Sequence, residues 1–378
     1  MVKNQDSRDC FIDMARAVGI LLVVYAHALE IYFNGTINFS ANMFRQWDFI
    51  YSFHMPLFFI ISGYLYRKKS WADIISNSLF MVFLACSVHI AAWFLLVCKG
   101  HPETLWTLLD PILYLSDFYT QVVWFLAALA ITQIIYKIII ENNYYIRDSI
   151  IIFTAIAFVS MEQSHKMWFQ MQAIFPAIVF YAIGHQLSSK DLLYKSRHIA
   201  CFLVPISIAT TFLLSRLNNG CNLSPFDHCN NMSNHFGVMM INGEFGFLPL
   251  FFITAIIGSI SILLFVRFSF LERFHIKSLL SWLGKRTLQL LILNGFALQF
   301  IQPFLKKHLD KPSPALTSWS IILIFVTIQI LALPFFSKAI DPFLRLIRHI
   351  SRASAELIVK ACIPARVASA DEAIAPSI

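Results

Sequence analysis

Four ionisable residues, Asp13, Arg16, His27 and Glu30, fall within or at the end of one apolar stretch, FIDMARAVGILLVVYAHALE. On an α-helix Asp13, Arg16, Ile20, Val23, His27 and Glu30 advance by threes and fours, which stacks them along one stripe. Arg16 and His27 are eleven residues apart, ~16 Å along the axis at the rise of a helix. Ionisable groups in such a stretch are costly in lipid and face the interior of a bundle or a cavity. One reading is an anion-binding guanidinium at the mouth and a general base deep inside, with Glu30 one turn on to orient the imidazole. The other is that Asp13 and Arg16 are interfacial and His27 packs against a polar neighbour. Spacing alone leaves both open.

The next apolar stretch, FIYSFHMPLFFIISGYLYRKK, carries His54 two residues before Pro56. A proline there frees a carbonyl and predicts a bend, a device that lines cavities. Ser62 and Gly63 permit close helix approach. Arg67, Lys68 and Lys69 follow, either as a phosphate-binding cluster or as the charge that ends any span at a cytoplasmic face. His89, Gln133, His185, Gln289, Asn294 and Gln299 are read as interhelical hydrogen-bond partners. Trp124 is read as part of an interfacial aromatic belt. No Gly-x-Ser-x-Gly elbow, metal-ligand spacing or dinucleotide fingerprint occurs, which disfavours serine-hydrolase, metal-dependent and dinucleotide chemistry.

These residues need a scaffold that holds polar groups in lipid. Of 378 residues 58% are hydrophobic and 13% charged, against about 25% charged in soluble domains. The apolar residues, 37 phenylalanines among them, form runs near the ~20 residues that span a bilayer as helix. The runs are too long and lack the alternation of barrel strands. The fold class is therefore all-α: a polytopic bundle of about ten transmembrane helices. The spans are placed at 11–33, 49–66, 75–98, 122–140, 148–161, 168–187, 198–217, 246–267, 287–304 and 316–337. The first is read as a retained span rather than a cleaved signal, because Asp13 and Arg16 interrupt it and no small-residue cleavage pattern follows.

With the N-terminus inside, the outer side holds only Arg45, Lys99, Lys166, Arg216, Lys306, Lys307 and Lys311, leaving 22 of the 29 Lys and Arg in the cytoplasm. That asymmetry predicts two cytoplasmic termini. It also reads the net charge of +8 as topology rather than nucleic-acid binding. The outer loops are 34–48, 99–121 and 218–245. The last holds Cys221 and Cys229, either a disulfide or two thiols. Residues 1–338 form the membrane domain. The basic and apolar residues of 339–378 predict a cytoplasmic amphipathic helix on the anionic surface, then a disordered tail.

In that order, FIDMARAVGILLVVYAHALE, FIYSFHMPLFFIISGYLYRKK, VVWFLAALAITQIIY, FPAIVFYAIGHQL and LGKRTLQLLILNGF resemble the acyltransferase 3 family over roughly residues 9–340. Within it the chain looks closest to the fucose-acetylase-like and xanthan-type exopolysaccharide acetyltransferases. The resemblance implies a ten-span protein of the bacterial inner membrane. It implies transfer of acetyl from cytoplasmic acetyl-CoA to a hydroxyl of an exported or cell-surface polysaccharide, or of its lipid-linked precursor. No metal is implied. By resemblance Asp13, Arg16 and His27 take the family's first-span positions, and Arg67, Lys68 and Lys69 its basic cluster. Arg16 and the cluster would bind the donor. His27 would serve as base; beside the resemblance, Glu30 is read as orienting its ring and His54 as the alternative base. Two departures stand out. SWADIISNSLFMVFLAC lacks the basic residues many relatives carry there, and Asn294 stands where relatives often have histidine. The rival function is a transporter or flippase for lipid-linked sugars without acyl transfer, but no internal repeat supports it. A second rival is a non-catalytic membrane sensor or assembly partner. Oligomeric state is not legible.

Overall fold

The computed structural model describes residues 5–32, 41–67, 69–142, 168–189, 197–218, 238–268, 276–308 and 315–362, with Asp148 and Ile151. Lys68, most of the expected span 148–161, Cys221, Cys229 and the tail beyond 362 lie outside the described residues.

Regular structure among these residues is helical apart from one isolated bridge, Met239 to Glu244. In chain order the helices are α1 Gln5–Leu29, α2 Ala41–Tyr51, α3 His54–Tyr64, α4 Trp71–Cys98, α5 Leu105–Tyr114, α6 Trp124–Asn142, α7 Met171–Ser189 and α8 Arg197–Leu217. They continue as α9 Leu248–Phe268, α10 Ile276–Gly284, α11 Thr287–Phe296, α12 Gln302–His308 and α13 Ala315–Cys362. Among the described residues six segments are long and apolar enough to cross a membrane: Cys10–Leu29, Trp71–Cys98, Gln121–Ile140, Leu248–Phe268, Thr287–Leu305 and Trp319–Ala361. The chain is thus a multi-helix membrane protein.

The expected second span is broken. Its first residues belong to α2, which starts within the segment read as an outer loop, and α3 has only 11 residues. The chain turns at Ser52 and Phe53, where Ser52 N donates to Asp48 O (3.0 Å) and Phe53 N to Ile50 O (3.2 Å). Pro56 does not make this bend. It sits in the first turn of α3, where a missing N–H costs no helical hydrogen bond. The ninth span is also not one α-helix: α11 passes through a π-helical turn, Ala297–Ile301, into α12. The change in composition at residue 338 leaves no mark on the backbone, since α13 runs through it for 48 residues, ~72 Å of helix. Its basic half packs along α4, with the Arg348 guanidinium 4.4 Å from the Phe80 ring centre.

Local chemistry sets the ends near the site. Ser70 caps α4 by accepting from Asp73 N (3.2 Å), and its hydroxyl donates to Asp73 Oδ2 (2.9 Å), so the helix starts directly after the basic cluster. Small residues then set the packing. A Cβ on Gly63 would lie 1.9 Å from Tyr181 O, and one on Gly184 2.0 Å from Ile60 O, so α3 and α7 meet backbone to backbone. A Cβ on Gly284 would lie 1.8 Å from Asp13 O, which places α10 equally close to α1. Such approaches are how small residues bring helices together in lipid. Gly63→Val should therefore destabilise the protein by at least about 1–3 kcal/mol, the usual cost of overpacking. Thermal unfolding of the detergent-solubilised variant checks this, and an unchanged midpoint would mean that α3 and α7 are free to separate.

Candidate active site

His27, Glu30 and His54, read from two different stretches of sequence, line one cavity of about 440 Å³. Helix α1 brings His27, the 3-10 turn Glu30–Tyr32 that follows it brings Glu30, and the first turn of α3 brings His54. Tyr51, at the end of α2, stands between them: its ring centre lies 6.2 Å from that of His27 and 4.6 Å from that of His54. The Tyr51 hydroxyl donates to Glu30 Oε1, as does Trp47 Nε1 (3.0 Å), and the Trp47 and Tyr51 rings stack at 4.0 Å. Glu30 is thus tied to α2. The polar partner at His27 Nδ1 is instead the Asn294 side-chain amide on α11, at 2.7 Å.

His54 is buried, and its Nδ1 lies 3.0 Å from Ile50 O. A carbonyl only accepts, so Nδ1 carries the proton and Nε2 of the neutral ring keeps a lone pair. His89 has no such freedom. Tyr119 N donates to its Nδ1 (3.2 Å) and its Nε2 donates to Leu108 O (3.2 Å), so both ring nitrogens fasten α4 to the 105–119 segment. Tyr119 itself lines the cavity. Burial, then the hydrogen bond its hydroxyl donates to Glu103, holds this phenol above its ordinary pKa and keeps it protonated. On another side the cavity is closed by Met239, Met240 and Ile241, a turn held by a 2.7 Å bond from Gln172 Nε2 to Ile241 O.

A second cavity, about 320 Å³, gathers Arg16, Arg67 and Lys69 with Ser62, Tyr66 and Tyr181. The first-span arginine and the basic cluster, distant in sequence, therefore face one space. Arg16 also lines an adjoining cleft of about 470 Å³ with Asp13, Ser281 and Lys285. Asp13 Oδ1 lies 3.9 Å from Arg16 Nη1, a loose pair that steadies the guanidinium at the junction. Lys137 lies deeper. It is buried, donates to Lys69 O (2.7 Å) and lies 4.8 Å from the Trp71 ring centre, so it fixes the turn after the cluster.

The same four chain segments line both cavities. Arg16 and Val23 come from α1, and Ser62 and Met55 from α3. Leu126 and Trp124 come from α6, and Leu288 and Leu291 from α11, the basic-cavity residue first in each pair. Position increases toward the histidine cavity on α1 and α11 and decreases on α3 and α6, as antiparallel helices around one axis require. Between the two levels sit Ile20, Phe58 and Phe125, all buried. Phe58 and Phe125 pack with ring centres 5.8 Å apart.

Sequence reading missed α2 as a site element and did not join Asn294 to His27. Trp47 and Tyr51 are one helical turn apart, but the boundary drawn between the loop 34–48 and the span 49–66 separates them. The two partners His27 and Asn294 are 267 residues apart, beyond the reach of any periodicity.

Comparison with known proteins gives one family. A family model for an acyltransferase domain matches residues 10–336, nearly the whole described chain. No curated protein and no solved structure matches.

Proposed function

The chain belongs to the acyltransferase 3 family, and from that premise we propose that it is a membrane O-acetyltransferase. Its donor is acetyl-CoA from the cytoplasm, and its acceptor is a hydroxyl of an exported or cell-surface polysaccharide or its lipid-linked precursor. The observation that carries this reading is the pair of cavities on one set of helices, cationic in one and imidazole-bearing in the other. The donor's phosphates pair with Arg16, Arg67, Lys68 and Lys69. Its pantetheine arm displaces Phe58 and Phe125, which pack between the two cavities, to bring the thioester to the histidine cavity. There the aromatic faces of Trp47 and Tyr51 suit the C–H faces of a sugar ring.

In the reaction the acceptor hydroxyl oxygen attacks the thioester carbonyl carbon while His27 takes its proton. The C–S bond breaks, the acetyl ester forms, and the proton passes to the departing thiolate of CoA. A hydroxyl is a poor nucleophile, so a base placed at this step contributes typically ~10²–10⁴-fold. Asp13 holds Arg16, Glu30 holds Tyr51 against both imidazoles, and His54 stands beside His27 as the second proton acceptor.

Membranes containing the protein, given acetyl-labelled CoA and cell-envelope polysaccharide, should form alkali-labile acetyl esters. Label that never reaches carbohydrate in membranes with correctly inserted protein would overturn the reading. The same proposal places ten spans in the bacterial inner membrane with both ends cytoplasmic. Reporter fusions after residue 245 should then read outside and fusions after residue 345 inside. The reverse of either breaks the ten-span arrangement.

A further inference from the structure

We propose that Asn294 is the positioning residue that fixes the proton of His27 on Nδ1 and so leaves Nε2 as the base. This inference rests on the reading of His27 as the base in acetyl transfer. Asn294 is fully buried in the last turn of α11. Its neighbour Gly295 has no room for a side chain, since a Cβ there would lie 2.6 Å from Val122 Cγ2. The helix packs closely on the 120–122 segment there, with the amide against the ring.

Two arrangements fit a 2.7 Å contact between an amide and a neutral imidazole. In one, Nδ2–H donates to a lone pair on Nδ1. The ring proton then sits on Nε2, and the nitrogen left for the cavity cannot accept another. In the other, Nδ1–H donates to Oδ1, and Nε2 keeps its lone pair. The two ends of an amide have the same shape and differ only in what they offer. With Nδ2 against the ring, Oδ1 is buried without a hydrogen-bond partner among the described residues, a cost of ~1–3 kcal/mol. Turning the amide over gives Oδ1 the Nδ1–H donor it lacks, at the expense of carrying Nδ2 into the buried place that Oδ1 leaves.

Turnover selects between them as well. Once His27 has taken the acceptor's proton, both its ring nitrogens carry hydrogen. An N–H of Asn294 would then face an N–H of the imidazolium, whereas Oδ1 accepts from Nδ1–H before, during and after the transfer. Asn294 thus does for this ring what a carboxylate does for the histidine of a hydrolase triad, without adding charge to the bundle. The π-helical turn that begins at Ala297 is the local distortion often found beside functional groups. Glu30, Tyr51, His54 and Tyr119 are the titratable groups sharing the cavity. Among the hydrogen bonds described, none of them meets His27 Nδ1.

The test uses full-length protein in lipid nanodiscs with ¹⁵N-labelled histidine. Spectra of the parent and of His27→Gln are subtracted to isolate the His27 signals among the 12 histidines. The parent should show Nδ1 protonated and Nε2 unprotonated. Asn294→Asp, which can only accept, should keep that tautomer and most of the turnover. Asn294→Leu should lose it, with kcat falling roughly 10²-fold or more and the donor KM unchanged. A parent ring protonated on Nε2, or an Asp variant whose tautomer inverts, overturns the proposal even if the Leu variant does not fold. A Leu variant with parental spectrum and kcat overturns it too. If the parent transfers no acetyl group, the functional reading fails, and the spectra still decide the tautomer on their own.

Discussion

His27→Gln is expected to lower acetyl transfer by at least about 10²–10⁴-fold, the contribution of a general base, while insertion and donor binding stay near normal. Glutamine keeps a planar, hydrogen-bonding group of similar reach, so the contact with Asn294 on α11 can persist. It cannot take a proton at neutral pH. The substitution therefore separates basicity from packing more cleanly than alanine, which would also open space beside Tyr51 and His54. Initial rates with both substrates saturating, set beside equilibrium binding of acetyl-CoA, give the two readouts. Near-normal turnover would make His27 a structural contact. His54 would then become the base, since its Nδ1 is bound to Ile50 O and its Nε2 keeps a lone pair in the same cavity.

The first-span stripe was legible because its evidence lies within one helix. Steps of three and four from Asp13 to Glu30 define a face whatever the other helices do. Arg67 and Lys69 were legible as charge at the end of an apolar run. That they share the cytoplasmic side with Arg16 was legible from the charge asymmetry and the resemblance, but the cavity they line together was not, because it depends on how α1, α3 and α6 cross. Pro56 misled for a physical reason. Proline disrupts a helix only where its N–H is needed, and the true break at Ser52 and Phe53 contains neither glycine nor proline. Helix α2 was hidden by its polar residues, Arg45, Gln46 and Asp48, which lower its hydropathy without disturbing helical spacing. Ends of spans were read from composition, so α13 was divided at residue 338, although amphipathic sequence continues a helix as well as an apolar one does.

Arg16→Gln is expected to raise the KM for acetyl-CoA by about 10–100-fold, with kcat at saturating donor little changed. The magnitude follows from losing one charge-assisted hydrogen bond to phosphate, worth ~1.5–3 kcal/mol, where each 1.36 kcal/mol is about a factor of ten. Arg67→Gln and Lys69→Gln should each do less. Both side chains are exposed, whereas the Arg16 side chain is only 37% exposed and sits at the junction of two clefts beside Asp13. Water and salt screen the exposed pair more strongly. Removing Arg67, Lys68 and Lys69 together should weaken donor binding further than either single change and flatten its dependence on ionic strength. Lys137 is the internal control. It is buried and committed to Lys69 O and Trp71, so Lys137→Met should lower thermal stability and leave the salt dependence intact. If Arg16→Gln leaves donor affinity unchanged in correctly inserted protein, these cations are topology signals alone. The donor must then enter by another route than the cleft they line.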